Sequence, residues 1–435
     1  MDVLSGALEA DVPTGVERAT LANGLRVVVL PGPPSSAVGL ALHYDVGTRN
    51  EVPSRTGFAH LFEHLMFQGT ERVGQREFAY AVESAGGSYN GSTASDYTSY
   101  HVVMPASGLE RGLFLLADQM AGPMLTEQNL ANQIDVVKEE VLGKILDVPL
   151  GGFPTFEMPG ALFSSFPNAH NGFGSFGDLD AATLADAAQF FETHYAPANA
   201  VLCIAGAADR GRAFGLAERH FGPLPARPAP QRPDLDEPRP AAERRVVRTD
   251  RRSPVDAVGV GWRVPDPADL AEYLPYVLLA DMLGDGPTSR LHRRLVESSG
   301  AAIHVGCRTE LLGGTFMTRH PSAFVVDALV ASGSRPDDVV ALIEDELTRI
   351  AEEGCSDGEL ARLIRWGTVK NLSQQGSPLE LAFSAAGHEI VHGRAELGSE
   401  LPWLLEGVSG EDLRVAAASL AARRDATVVI EGSKS

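Results

Sequence analysis

The sequence predicts an α+β protein of two homologous domains, each a mixed or antiparallel sheet packed with helices. Three observations predict it. A proline-rich stretch, GPLPARPAPQRPDLDEPRPAAERR from Gly222 to Arg245, can form neither a helix interior nor a central strand, and it divides the chain into two parts. Each part carries short β-type runs and longer helical patterns. Finally, THYAPANAVLCIAG in the first part is echoed by LAARRDATVVIEG at the end, a helix terminus leading into a β-branched strand and a glycine. The expected organisation is a domain over 1–225, an extended linker over 226–245 and a related domain over 246–435.

The elements follow in order. Residues 24–30 and 37–44 read as strands around a Pro31-Gly32-Pro33-Pro34 turn. A helix then carries HLFEH, residues 60–64. Residues 88–93 and 98–104 read as a hairpin, and helices are expected at about 108–121, 127–147 and 180–194. A short buried strand at 199–205 and a helix at about 209–220 close the first part. In the second, 255–263 reads as a strand and 270–283 as a helix.

With 435 residues, 44% apolar and 21% charged, the composition is that of an ordinary globular protein. The net charge of −21 argues against a nucleic-acid or membrane-surface partner and would suit basic peptides. The first fifteen residues lack the pattern of a signal peptide, and the longest apolar runs, such as 200–205, are too short to span a bilayer. Cys203, Cys307 and Cys355 are too few for a disulfide framework, so a cytoplasmic setting is expected. His304 and Cys307 read as packing residues rather than a metal pair.

Positions i and i+4 share a helix face, so His60 and His64 can reach one ion. Glu63 lies beside His64 and can lean over the same ion, while Phe58, Leu61, Phe62, Leu65 and Met66 cover the other faces. Thr56 is the expected N-cap and Gly69 the expected stop. Two imidazoles, one carboxylate and an open position make a catalytic zinc arrangement, in which Glu63 would take a proton from water and return it to the leaving amine. With twelve histidines in the chain, spacing alone does not single out this pair. The third ligand must do so. On the helical stretch 129–147, Glu139 shares a polar stripe with Asn132 and Asp135, whereas Glu140 sits among Val136, Val137 and Val141. A carboxylate on the more apolar side needs a partner, which favours Glu140. The other pair, HEIVH at 388–392, has only Glu411 as a downstream ligand candidate, at a helix start capped by Ser409. His388 and His392 read as a surface pair or as satisfied half-buried residues rather than a second metal site.

At these residues the chain resembles the pitrilysin/insulinase family of zinc peptidases, in its mitochondrial-processing-peptidase branch. The resemblance runs through NGLRVVVLP, VGTRNE, HLFEHLMFQGT, GGSYNGSTASDYTSYHVVMP, VVKEEV and FFETHYAPANAVLCIAG, with a weaker match in GDGPTSRLHRRLVESSG. It implies a clam-shell of two similar domains around a chamber, one Zn2+ per chain held by His60, His64 and Glu140, and Glu63 as base. It also implies that an extended peptide adds to a sheet edge at 88–93, with Ser88, Asn90, Gly91 and Ser92 beside it. The family often has a glutamate where Gln133 stands, next to the third ligand's face. Arg290 matches an arginine that holds the substrate carbonyl, but the accompanying tyrosine falls on Ile303. That departure points to a heterodimer with a homologous chain lacking the zinc motif, with a homodimer as the alternative. The rival functions are a non-catalytic scaffold of the same fold and a lyase resembling S-ribosylhomocysteine lyase, which would have a cysteine at the third-ligand place.

Overall fold

The computed structural model describes residues 15–32 and 35–432. The end of the turn expected at 31–34 lies outside them. The first half contains strands β1 (Glu17–Thr20), β2 (Arg26–Pro31), β3 (Ala37–Tyr44), β4 (Ser88–Thr93), β5 (Thr98–Pro105) and β6 (Ala200–Gly206). Its main helices are α1 (Phe58–Leu65), α2 (Gln75–Glu83), α3 (Leu109–Ala121), α4 (Glu127–Val141), α5 (Met158–Leu162), α6 (Leu184–His194) and α7 (Arg210–Phe221). The second half contains β7 (Arg244–Asp250), β8 (Ala257–Val264), β9 (Ala302–Arg308), β10 (Ser322–Val330) and β11 (Ala426–Gly432). Its helices are α8 (Leu270–Gly284), α9 (Pro336–Glu353), α10 (Asp357–Ser373), α11 (Pro378–His392), α12 (Leu397–Glu406) and α13 (Gly410–Ala421).

The two sheets share one five-strand topology, to which the first adds β1 at its edge. The first runs β1-β2-β6-β3-β5-β4 and the second β7-β11-β8-β10-β9. In each, the last strand of the half pairs in parallel with an early one (β2 with β6, β7 with β11), and the neighbouring pairs are antiparallel. The echo between residues 193–206 and 420–432 therefore marks equivalent strands. The pseudo-repeat also extends to helices. α1 packs on α4 in the first half, and α8 packs on α10 in the second. Where the first pair presents histidines and a glutamate, the second is joined by Lys370, 2.7 Å from Asp281 and 3.0 Å from Asp285.

The halves are interlocked by an exchange of helices. α11 of the second half lies on the first sheet, placing Ala382, Ala385, Ala386 and Ile390 against Val28, Ala41, Val201 and Cys203. In return, α5 puts Met158, Ala161 and Leu162 on the second sheet against Ala257, Val325 and Val428. That approach is close enough that a Cβ on Gly261 would sit 2.7 Å from the Met158 sulfur. Burying these apolar faces is the main force closing the seam. An ion cluster around buried Asp96 and Asp45 completes it. Asp96 is 3.1 Å from Arg49 and accepts from Thr318 Oγ and the Arg319 N–H, while Arg319 and Arg232 both reach Asp45.

Three local expectations are refined. The linker carries no helix or strand until Arg244 enters β7, but it is a packed strap rather than a free spacer, because buried Glu237 accepts from Ser164 N–H, Ser165 N–H and Arg263. The helix expected to reach residue 147 is α-helical only to Val141 and continues as a wider turn over Leu142–Leu146. Thr56 is not the N-cap of α1. Gly57 holds that position at φ +87°, and Thr56 binds Asp178 through its N–H and hydroxyl. The HEIVH pair lies within the seam. His388 is buried, His392 Nε2 is 2.8 Å from the Phe316 carbonyl, and Glu389 is paired with Arg18 and Arg26. Its groups serve packing, which is why no metal cluster forms there among the described residues.

Candidate metal centre

α1 divides its faces as its sequence pattern requires. Phe58, Leu61, Phe62 and Leu65 are buried, with Phe62 packed on Phe190 and Tyr195. The opposite face presents His60, Glu63 and His64, half-buried. α4 packs alongside with Leu130, Ile134, Val137 and Val141 inward and Glu139 outward, and Glu140 projects toward the histidines. Glu140 Oε2 lies 3.2 Å from His64 Nε2 and 3.8 Å from His60 Nε2. One donor atom from each of the three falls within 4.8 Å of the others, and this is the only such group of His, Cys, Asp or Glu among the described residues. Tetrahedral zinc bonds of ordinary length need donors about 3.3 Å apart, so the donor set fits that ion. The three side chains remain 17%, 20% and 28% exposed, which leaves one side of the cluster open to solvent and substrate.

The electrostatics suit a cation. Burial, with His64 adding to it, pushes His60 down to about 4, and burial lowers His64 against the pull of Glu140. Both imidazoles are therefore neutral near pH 7, the form that binds metal. Burial would raise Glu140, but the Lys144 hydrogen bond at 2.7 Å and the two histidines outweigh it and hold the carboxyl low. Glu63 behaves in the opposite way. Burial raises it, and the hydrogen bond from Thr93 Oγ only moderates the rise. A carboxyl moved upward from its usual range is better matched to proton transfer near neutrality.

β4 is the outer strand of the first sheet and borders α1. Ser88 and Asn90 are exposed, Ser92 is half-buried, and the Asn90 side chain accepts the Gly91 N–H at 2.9 Å. Gly91 is buried for a reason that sequence alone did not supply. A Cβ there would come within 2.9 Å of Glu63 Cγ and 3.1 Å of the Phe67 ring. Its smallness accommodates the base itself. Gln133 is buried on α4, two turns before Glu140. Arg290 is not brought to the centre. It lies in a cleft of the second half, its guanidinium 2.6 Å from Glu359 and 3.6 Å from Glu346, with the Gly354 carbonyl as a further acceptor. Ile303, on outer strand β9, is 56% exposed.

Sequence reasoning missed Thr93, Lys144, Glu51 and His170. Only spatial neighbours reveal them. Glu51 accepts the N–H groups of Gly57 and Ala59 at the start of α1, and His170 backs it.

A two-lobed α+β chain with an inverted HxxEH helix and a glutamate from a second helix defines a metallopeptidase of the clam-shell class. The Insulinase (Peptidase family M16) model matches residues 26–143, and the Peptidase M16 inactive domain model matches 181–365. The chain belongs to the insulinase, or M16, family of zinc peptidases. It is 27% identical to an uncharacterized zinc protease of Streptomyces coelicolor over 95% of this chain and 89% of that one. It is 27% identical to the zinc protease PqqE of Helicobacter pylori over 78% and 74% of the two chains. A mitochondrial-processing peptidase β subunit from Lentinula edodes is 26% identical over 64% of this chain and 61% of that one. In fold, it is similar to a protease from Helicobacter pylori, with a TM-score of 0.88 at 24% identity over 96% and 99% of the chains. The periplasmic protease PqqL of Escherichia coli gives 0.77 at 19% identity over 98% of this chain and 48% of its own.

Proposed function

We propose that this protein is a zinc-dependent endopeptidase acting on oligopeptides or peptide precursors. The carrying observation is the convergence of His60, His64 and Glu140, with Glu63 beside them and an outer strand alongside. Zinc, one per chain, would supply Lewis acidity toward the scissile carbonyl and the attacking water. The chain's own groups do the rest. Glu63 accepts the water proton and passes it to the leaving nitrogen. An extended peptide joins β4 through main-chain hydrogen bonds, which orders its backbone regardless of sequence. Thr93 holds Glu63 toward that strand.

Metal analysis with peptide hydrolysis tests this. Stoichiometric zinc is expected in the parent chain and in Glu63→Gln, and none in His60→Ala. Hydrolysis should fall by about 10²–10⁴-fold in Glu63→Gln. A chain that binds no zinc, or whose hydrolysis survives Glu63→Gln, is not this enzyme. Unimpaired zinc with no hydrolysis in any assembly favours the scaffold alternative.

The same reading includes a partner chain. Arg290 is satisfied within its own half, and Ile303 rather than a hydroxyl-bearing residue faces outward on β9. Groups that grip the substrate carbonyl would then come from a homologous chain without the zinc motif, or from a second copy. Full activity from the purified monomer would refute this. The three cysteines are free, which fits a reducing cytoplasm. No described helix is long and apolar enough to cross a membrane.

A further inference from the structure

We infer that the buried pair Glu51 and His170 is a positioning device for the metal centre, holding the N-terminus of α1 against the segment that follows α4. The inference rests on the zinc-peptidase reading but concerns residues outside its ligand set.

α1 begins without a side-chain cap, because its N-cap is Gly57. The first N–H groups of a helix must nevertheless find acceptors. Glu51 supplies them from six residues upstream, its Oε2 accepting Gly57 N–H and its Oε1 accepting Ala59 N–H, both at 2.9 Å. The carboxylate thereby sits on the positive end of the helix dipole, one residue short of His60. Its side chain is wholly buried, and a buried carboxylate needs a counter-charge. His170 provides it, with Nε2 3.1 Å from Glu51 Oε2. Its other nitrogen, Nδ1, faces the Phe166 carbonyl at 2.8 Å, and its ring stacks on Phe166. Both ring nitrogens therefore face acceptors, the requirement of an imidazolium. Burial opposes that charge, but Glu51 and the Phe166 carbonyl outweigh it and hold the ring above its ordinary value, while burial raises the Glu51 carboxyl against the opposing pull of His170 and the Gly57 and Ala59 N–H groups.

The location of His170 gives the pair its meaning. α1 carries His60, Glu63 and His64, whereas Glu140 comes from α4. His170 lies after both α4 and α5, directly ahead of the 176–180 segment that packs on α4. A second clasp joins the same two regions, for Asp178 accepts the Thr56 N–H and hydroxyl, Thr56 Oγ accepts the Ser175 N–H, and Lys138 of α4 is 2.7 Å from Asp180. The start of α1 is thus fixed by the buried Glu51–His170 pair and the part-buried Thr56–Asp178 contact, and the 176–180 segment that holds Thr56 is tied in turn to α4 by the exposed Lys138–Asp180 pair, in addition to apolar packing. A slip of α1 would move both imidazoles relative to Glu140. Partners hydrogen-bonded directly to a ligand change metal affinity by about 10–100-fold when removed, and Glu51 acts one step further out through the α1 backbone, so an effect at the low end of that range is expected.

The test uses the full chain with Glu51→Ala, Glu51→Gln and His170→Phe, and Leu363→Ala in the far half as a control for plain destabilisation. Zinc affinity, the visible spectrum of the Co2+-substituted protein, kcat and KM are measured at matched folded fraction. Glu51→Ala and His170→Phe are expected to lose about tenfold in zinc affinity, to shift the Co2+ spectrum, and to lower kcat with KM changed less than threefold. Glu51→Gln keeps one acceptor oxygen and should recover part of each loss. Leu363→Ala should lower Tm alone. If the parent binds metal and Glu51→Ala and His170→Phe match Leu363→Ala in every readout, the pair is merely structural and the inference is wrong. Should Glu51→Ala fail to fold, Glu51→Gln and His170→Phe decide by the same criteria. If the parent binds no metal, the zinc-peptidase reading fails first, and the inference falls with it.

Discussion

Thr93 Oγ lies 2.8 Å from Glu63 Oε2, so the carboxylate proposed as base is tied to the strand proposed to receive the peptide. A peptide paired on β4 as proposed would therefore be mechanically linked to the aim of Glu63. Thr93→Val removes the donor while keeping the shape. The expected result is a three- to tenfold drop in kcat with zinc content unchanged, the worth of about one hydrogen bond. Steady-state kinetics with metal analysis checks it, and loss of zinc would contradict it.

Gly91→Val should be far more damaging. Its first added carbon already meets Glu63 Cγ at 2.9 Å, so Glu63 or β4 must move. Proton transfer depends on sub-ångström placement, and a hundredfold loss of kcat is expected. Gly86→Ala is a poor control because of its φ of +80°. Ser88→Ala, on the exposed end of the same strand, should be nearly neutral.

Lys144 holds Glu140 Oε1 at 2.7 Å and brings a positive charge toward the ion's place. Lys144→Met should therefore tighten zinc binding, but only a few-fold, because the ammonium is largely exposed and screened by water and salt. Competitive titration with a chelator at low and high salt would measure this. The difference between parent and variant should shrink as salt rises.

Acid should loosen the seam between the halves. Burial, with the neighbouring His392 adding to it, pushes His388 down to about 3, against an ordinary value of 6.5. The unfolded chain takes up that proton below about pH 6.5 and the folded chain does not, so stability falls as pH drops from there. Each such histidine contributes a slope of about 1.4 kcal/mol per pH unit. Asp96 adds a later loss. Burial would raise it, but Arg49 and Arg319 hold it below its ordinary 3.8, so its contribution is complete above that value and disappears as pH falls below it. Thermal unfolding from pH 7.5 to 5 should show a decline in Tm that is shallower in His388→Gln. A flat profile in the parent would exclude the mechanism.

The convergent His60, His64 and Glu140 cluster was legible because its logic is local. One turn of helix places His60 beside His64, and the polarity of neighbouring positions separates Glu140 from Glu139 without reference to any distant residue. The hairpin, the two closing strands and the two-part plan were legible for the same reason, since each rests on a short period or a turn, whereas the parallel pairing of the closing strands was not, because it joins residues far apart in the chain. Glu51 was not. An acid just before a helix looks like an ordinary exposed residue until His170, 119 positions away, is brought against it. The ion pairs of Arg290 were not legible either, because Glu346 and Glu359, which hold its guanidinium, come from elements that follow much later.

The sequence by itself determined which side chains are able to hold an ion and which halves repeat each other, because helix period and strand alternation act over a few residues. Tertiary structure alone decided how those groups are aimed. The exchange of α5 and α11 between the sheets, the clasp of Glu51 and His170, and the fit of Gly91 against Glu63 all depend on contacts between segments far apart in the chain. Burial and partner charge set the state of each group, and neither exists until the chain has closed on itself.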